Sequence, residues 1–433
     1  MANIYPYAFQ TSLDIFSQKR NLGFMTMTNK KIDMYDVAVI GGGLAGLSMA
    51  IALGRAGLTV AVVDRENPTD AITAEYDGRS IAVAYASWQL FRAIDVWQYM
   101  EADAQPMNDI MITDGSAPVF LKFEHDAVGS DPFGYMVEMR HLRAGLAKAV
   151  ATCPTVSLMA PINVDRVGVE TGYASVVLED GATIQARLAI AADGRRSPLR
   201  QAAGITTTNA GYDQTGIVTT IEHELDHEGI AYEHFLPAGP FAILPLKGKR
   251  SSLVWAEKPI VAEAILGLDD DAFNQEIVKR MGNVLGEVRA IGPRFSYPLT
   301  LQLANSFYAD RMALIGDAAH GIHPIAGQGI NLGWRDVAAL AELIVDAHRL
   351  GMDIGASDVL ANYERWRKTD TLIMAAATDV LDRLFSNDIG PIRLARDIGL
   401  AVVNRVGPAK RFFMNQARGA GGNQPKLLKG EAL

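Results

Sequence analysis

Val37-Ala-Val-Ile-Gly41-Gly-Gly43-Leu-Ala-Gly46, followed by Leu47-Ser-Met-Ala-Ile-Ala-Leu-Gly-Arg-Ala56-Gly57, is the stretch that decides the fold. The four apolar residues before Gly41 are the short continuous run of a strand buried on both faces. Leu44 to Ala56 reads as a helix closed by Gly57, a residue suited to the position just past a helix C-terminus. Thr59-Val-Ala-Val-Val63 is the next strand. Together they make a βαβ unit, which places the first domain in the doubly wound α/β class. The turn carries G-x-G-x-x-G. Gly41 permits the tight turn, Gly43 lets backbone approach a pyrophosphate, and Gly46 lets the helix pack closely on the strand. Leu44 and Ala45 open the helix, whose unpaired N–H groups and dipole favour phosphate. Asp64, with Arg65 beside it, ends the second strand about twenty residues on, where a carboxylate binds ribose hydroxyls. The motif predicts a dinucleotide without separating FAD from NAD.

The uncharged run Val37 to Gly54 approaches the minimum length of a membrane span, but four glycines in six positions argue for strand, turn and buried helix instead. At 433 residues the chain has room for two or three cores. A formal net charge of −9 argues against nucleic acid as the main partner. A single cysteine, Cys153, excludes a disulfide framework and multi-cysteine metal sites, and fits a reducing compartment. Residues 1–33 lack the apolar core of a signal peptide and read as a disordered tail or an overlong start, with Met25, Met27 and Met34 as alternative first residues. The stretch Ala401 to Leu433 carries Arg405, Lys410, Arg411, Arg418, Lys426 and Lys429 against Glu431, a basic end on an acidic chain. It reads either as a solvated tail or as a patch that meets anionic lipid or an acidic partner.

From Gly211 to Glu257 the character changes. Gly216–Ile221, Phe241–Pro245 and Ser251–Trp255 are strand-like and divided by turn residues, predicting a mostly antiparallel sheet domain inserted into the first. Strand–turn–helix character returns over 311–351, and from Asp358 the chain reads as helical, with Leu394, Ile398 and Val402 on one face. The expected division is a tail at 1–33, a discontinuous dinucleotide-binding domain at 34–205 and 292–357, a β-sheet substrate domain at 206–291, and a helical segment at 358–433.

Two further motifs follow. Leu188-Ala-Ile-Ala-Ala-Asp193-Gly194-Arg195-Arg196-Ser197-Pro198-Leu199-Arg200 is a strand, a turn and a basic helix start. Arg311-Met-Ala-Leu-Ile-Gly316-Asp317 is a strand ending in an acid, followed by His320-Gly-Ile-His323-Pro324-Ile-Ala-Gly327-Gln328-Gly329-Ile330-Asn331. An acid at a strand end can hydrogen-bond a sugar-like chain, and a glycine-rich loop can lie against a flat ring. Taken singly, Asp193 and Asp317 read as helix N-caps. His320 and His323 have no carboxylate or cysteine partner at ligand spacing, so no metal is expected.

The three motifs, in this order, resemble the single-component FAD-dependent aromatic hydroxylases with the para-hydroxybenzoate hydroxylase fold. The resemblance is closer to the UbiH/UbiF/Coq6 group of ubiquinone-biosynthesis hydroxylases. It covers nearly the whole chain from Asp36 and includes His323 to Val337, Gly134-Tyr-Met-Val-Glu138, Gly239 to Pro245 with Leu253-Val-Trp255, and Gly399 to Gly419. It implies FAD as cofactor, NADH or NADPH as donor, O2 as co-substrate, and a flavin hydroperoxide that hydroxylates a prenylated phenol. The first motif would hold the ADP half, and Asp193-Gly194 would serve FAD and NAD(P)H. Asp317, after Gly316, would meet the ribityl chain, the Pro324 carbonyl the reactive flavin carbon, and Gly327 to Asn331 (with Gln328, Gly329 and Ile330) the isoalloxazine. Asp77-Gly78-Arg79-Ser80 matches a segment whose arginine lies near the phosphates. The group usually has Asn after Val-Glu; here Met139 stands there, and Arg140 is the candidate substitute. His223, His227 and His234 fall in the predicted sheet domain, with two readings: alternation leaves them facing solvent, or one of them, with His234 the candidate, touches the phenol. Other ubiquinone-biosynthesis proteins are implied as partners, with a cytoplasmic location at the inner face of the membrane. The competing readings are a hydroxylase of another small aromatic, a flavin reductase of prenyl chains and a redox-inactive FAD-bound scaffold. A halogenase is disfavoured, because none of the five tryptophans sits in W-x-W-x-I-P. Oligomeric state is open.

Overall fold

The computed structural model describes residues 34–73, 75–115, 120–322, 328–385 and 403–433. The expected tail at 1–33, His323, Pro324, Gly327 and the face of Leu394, Ile398 and Val402 lie outside the described residues.

The strand Met34–Ile40 sits at the centre of the first sheet, between Thr183–Ala191 and Val60–Val63, with Met312–Leu314 and Val156–Met159 beyond them. These five strands run parallel. Both faces of the sheet are covered, so its strands are almost wholly apolar. The helix Leu44–Arg55 is buried continuously from Gly46 to Gly54. It lies between this sheet and the helix Gln328–Arg349, which explains the long uncharged run without a membrane. Gly57 follows at φ +95°, a left-handed conformation that suits glycine and ends the helix.

The second sheet has nine strands and is antiparallel except where Ile230–Leu236 runs parallel to Asp109–Asp114. Its spine is Phe295–Ala304, Thr207–His223, Arg250–Glu257, Gly239–Leu246 and Ile230–Leu236. The helices Pro259–Leu266 and Asp270–Met281 cover one face, packing on Ile217, Ile221, Phe241, Ile243, Leu253 and Trp255. The other face turns to the FAD-binding part. This sheet extends beyond 206–291. Asp109–Asp114 and Phe120–Glu124 complete the edge beside Ile230–Leu236, and Phe295–Ala304 pairs along Thr207–His223. An open strand edge must pair or be covered. The partners that satisfy it come from distant sequence, which local patterning cannot reveal.

Helices follow from Ser357–Phe385 and Gly407–Ala417. Leu427 and Leu428 return to the main core, so the end of the chain is packed rather than loose.

Candidate active site

The four central parallel strands stop on one line: Ile40 stands level with Val63 and Ala191, and Ala191 with Leu314. Their next residues, Gly41, Asp64, Ala192-Asp193 and Ile315-Gly316-Asp317, therefore gather at one edge of the sheet. The crevice beyond the carboxyl ends of parallel strands is where this architecture binds ligands. A groove of about 460 Å³ opens there, lined among others by Gly41, Gly43, Leu44, Asp64, Arg65 and Arg79 on one side and by Asp193 and Gly194 on another.

The glycines fit a close ligand. A Cβ on Gly41 (φ +108°) would meet the Ala192 carbonyl oxygen at 2.3 Å, and one on Gly46 would stand 1.8 Å from the Gly41 oxygen. A Cβ on Gly43 would meet nothing within 4 Å, so only an incoming group needs its side clear. The Asp64 carboxylate accepts the N–H of Gly42 through a very short contact and that of Glu66 at 2.7 Å, which fixes it beside the turn. Ala45 packs within 3.3 Å of the place a Gly316 Cβ would take, joining the first motif to the third.

Asp193 accepts the Leu199 N–H at 3.1 Å through Oδ2, so it does cap the short helix Pro198–Ala202, together with Ser197. Its Oδ1 is buried with no partner. Such an orphaned acceptor is costly unless a ligand donor meets it. Burial holds the Asp193 pKa above the usual carboxylate range, against the pull of Ser197, the Leu199 N–H and Arg200. Asp317 is also raised by its crowded surroundings, opposed by His320 and Arg195. The residue is nevertheless exposed, so it stands at the strand end rather than in the packed core. The donor set, the glycine cradle and this orphaned oxygen fit a dinucleotide cofactor.

Other expected residues go elsewhere. Arg140 does not line the groove; its Nε donates to Glu138 at 2.8 Å and its guanidinium lies over the Tyr76 ring. One turn on, in the same helix Met139–Ala151, Arg143 reaches the groove beside Met139. The i, i+4 spacing puts those two on one helix face and Arg140 on another, a signal the sequence did carry. Arg79 borders the groove but is paired with Asp77. The Asn331 side chain accepts from the Ala84 N–H and the Ser87 hydroxyl and donates to the Ala82 oxygen. It fastens the start of Gln328–Arg349 to a neighbouring strand and helix rather than facing a ring. Gly329 and Ile330 lie in the first turn of that helix; Ile330 packs toward the core.

His234 faces away from the crevice, contrary to expectation. It stacks near Tyr232 and Phe241 on the helix-covered face, with Nδ1 2.6 Å from the Thr113 hydroxyl. Burial lowers its pKa. Alternation decides the matter, because one residue along the strand separates the two faces. His223 and His227 are buried rather than solvent-facing, and their rings meet edge to face. His320 pairs with a buried carboxylate. Its Nε2 donates to Asp336 at 2.6 Å, and Asp336 also accepts the Gly316 N–H at 3.0 Å and Arg367 Nε at 2.8 Å. Arg367 and Arg335 both bind Asp370, and Arg335 donates to the Gly419 carbonyl at 2.7 Å. This buried cluster holds the Gly316-Asp317 turn against three distant segments.

The fold and the crevice define a flavoprotein of the FAD-dependent hydroxylase class. The sequence profile described as FAD binding domain matches residues 34–370. The chain is similar to ubiquinone hydroxylase UbiL of Rhodospirillum rubrum, 49% identical over 92% of this chain and 93% of the relative. It is also similar to 3-demethoxyubiquinol 3-hydroxylase of Escherichia coli, 32% identical over 91% of this chain and 100% of the relative. Among solved structures, p-nitrophenol 4-monooxygenase PnpA from Pseudomonas putida superposes with a TM-score of 0.75 at 19% identity, covering 90% of this chain and 99% of that one. The chain belongs to the UbiH/UbiF/Coq6 family of FAD-dependent monooxygenases.

Proposed function

We propose that this enzyme hydroxylates the ring of a prenylated phenol in ubiquinone biosynthesis. The observation that carries the reading is the alignment of four strand ends at one edge of the parallel sheet, with Gly41, Asp64 and Asp193 lining one groove there. Overall, the ring C–H, O2, NAD(P)H and a proton become ring C–OH, water and NAD(P)+. Bound FAD supplies the redox chemistry. The chain's residues bind, orient and exclude water. The turn from Gly41 to Gly46 and Arg143 would hold the ADP half, Asp64 a ribose and Asp317 the ribityl chain. The inner sheet face keeps the reacting space dry.

Anaerobic titration tests this reading. NADH or NADPH should bleach the bound flavin faster with a prenylated phenol present, and a prenylated phenol should outcompete an unprenylated hydroxybenzoate. Flavin that stays oxidised with both donors would contradict it.

We propose further that the enzyme works at the surface of the cytoplasmic membrane. Among the described residues no helix is long and apolar enough to cross one. The C-terminal part instead exposes Leu372, Ile373 and Val380 on one helix, and Phe412 and Phe413 on another, beside exposed Arg405 and Arg411. Apolar and basic groups together suit anionic lipid headgroups. The basic end is smaller than its composition suggests: Arg418 is buried over Tyr85, and Lys426 pairs with Asp346. Vesicles containing anionic lipid should float the protein, and replacing Phe412 and Phe413 with serine should return most of it to solution. A parent protein that does not float contradicts the proposal.

A further inference from the structure

The strand Ile230–Leu236 alternates its side chains between the two faces of the second sheet. Tyr232, His234 and Leu236 turn to the helix-covered side. Ala231, Glu233 and Phe235 turn to the side that meets the FAD-binding part. Ala231 packs there with Ala82, Met107 and Met136, and Phe235 with Leu121, Phe123, Phe133 and Met414. Glu233 lies between these apolar clusters and is only 9% exposed.

Its carboxyl group has no hydrogen bond or ion pair to any described residue. Across the sheet it stands level with Ile112 on one side and with Ala242, Val254 and Val218 on the other. Val218 and Val254 are only half-buried although they lie in the middle of a nine-stranded sheet. The floor of the inner face is therefore left open beside an apolar row interrupted by one carboxyl. A buried carboxyl without a partner is costly. Among the described residues nothing around Glu233 offsets that cost.

We infer that Glu233 is the residue that hydrogen-bonds the hydroxyl of the aromatic substrate and so orients the ring on the inner sheet face. This rests on the phenol reading above. Burial raises the Glu233 pKa to about 7, so at neutral pH both forms are present. The acid can donate to a phenol oxygen and the carboxylate can accept the phenol proton, without any other protein group.

The test compares a prenylated phenol with its methyl ether in the FAD-loaded enzyme, using the dissociation constant read from the flavin absorbance change. The parent should prefer the phenol by about 10-fold or more, the size expected when a buried polar group loses its partner. Glu233→Leu should lose most of that preference by weakening phenol binding, with FAD content unchanged. Glu233→Gln, which keeps a hydrogen-bonding group, should retain it. The leucine variant should also melt at a higher temperature than the parent without substrate, whereas a residue kept for folding would lower it. Should the leucine chain lose its flavin, Glu233→Ala carries the same comparison. Unchanged preference in the leucine or alanine variant overturns the assignment while leaving the phenol reading intact. A parent that binds and converts no prenylated phenol overturns both.

Discussion

Gly46→Ala yields a chain that no longer retains FAD. Its new Cβ would stand 1.8 Å from the Gly41 carbonyl oxygen and 3.2 Å from the Ala192 Cβ, and neither backbone can move without opening the turn. Overpacking of this kind costs about 1–3 kcal/mol even where side chains yield. Here the obstacle is main chain, so the affinity for FAD should fall by about 100-fold or more, each factor of ten being about 1.4 kcal/mol. Gly43→Ala supplies the contrast, because a Cβ there meets nothing in the protein. It should leave the FAD-free chain's melting temperature unchanged and still weaken FAD. Equilibrium titration with FAD and thermal melts of both variants check this. Normal FAD affinity in both would mean that the glycine spacing does not serve a pyrophosphate.

Asp336→Asn should cost about 3–5 kcal/mol of stability, as expected when one partner of a buried ion pair is removed. Asp336 is fully buried and Arg367 nearly so, and the exchange leaves the Arg367 guanidinium with Asp370 alone. Burial by itself would raise the Asp336 pKa; His320 and Arg367 more than reverse this and hold it below its ordinary value. A carboxyl depressed in the folded state stabilises above its unfolded pKa of about 3.9, and that contribution fades as pH falls through the folded value. The parent should therefore lose stability below about pH 4, and Asp336→Asn should lose less over the same range. Denaturant unfolding at several pH values measures both effects. The Gly316 N–H also loses its charged acceptor, so FAD retention should fall with stability.

The dinucleotide half of the site was legible because its chemistry is local. Gly41, Gly43, Gly46 and Asp64 occupy one βαβ unit, and a ligand's demands fix their spacing. The ends of the strands at Ala191 and Leu314 were legible as motifs, and their alignment with Ile40 needed the sheet. Three readings went differently because they depended on which way a side chain turns. Arg140 and Arg143 differ by one helix face, His234 and Glu233 by one step along a strand, and Asn331 by a partner some 250 residues away in Ala82. The His320–Asp336 pair was hidden for another reason. Asp336 lies within the stretch His323 to Val337 that carries the family resemblance, but its spacing from His320 is not one that a single helix or strand brings together.

A hydroxylase of this kind inserts one oxygen atom from O2 into an aromatic ring. The most direct measurement supplies the FAD-loaded enzyme with NADH or NADPH, a prenylated phenol and isotopically labelled dioxygen, and weighs the product by mass spectrometry. The expected result is a ring-hydroxylated product carrying one labelled oxygen. Label absent from the product, an unchanged ring with a reduced prenyl chain, or nicotinamide oxidation without any new hydroxyl would contradict it.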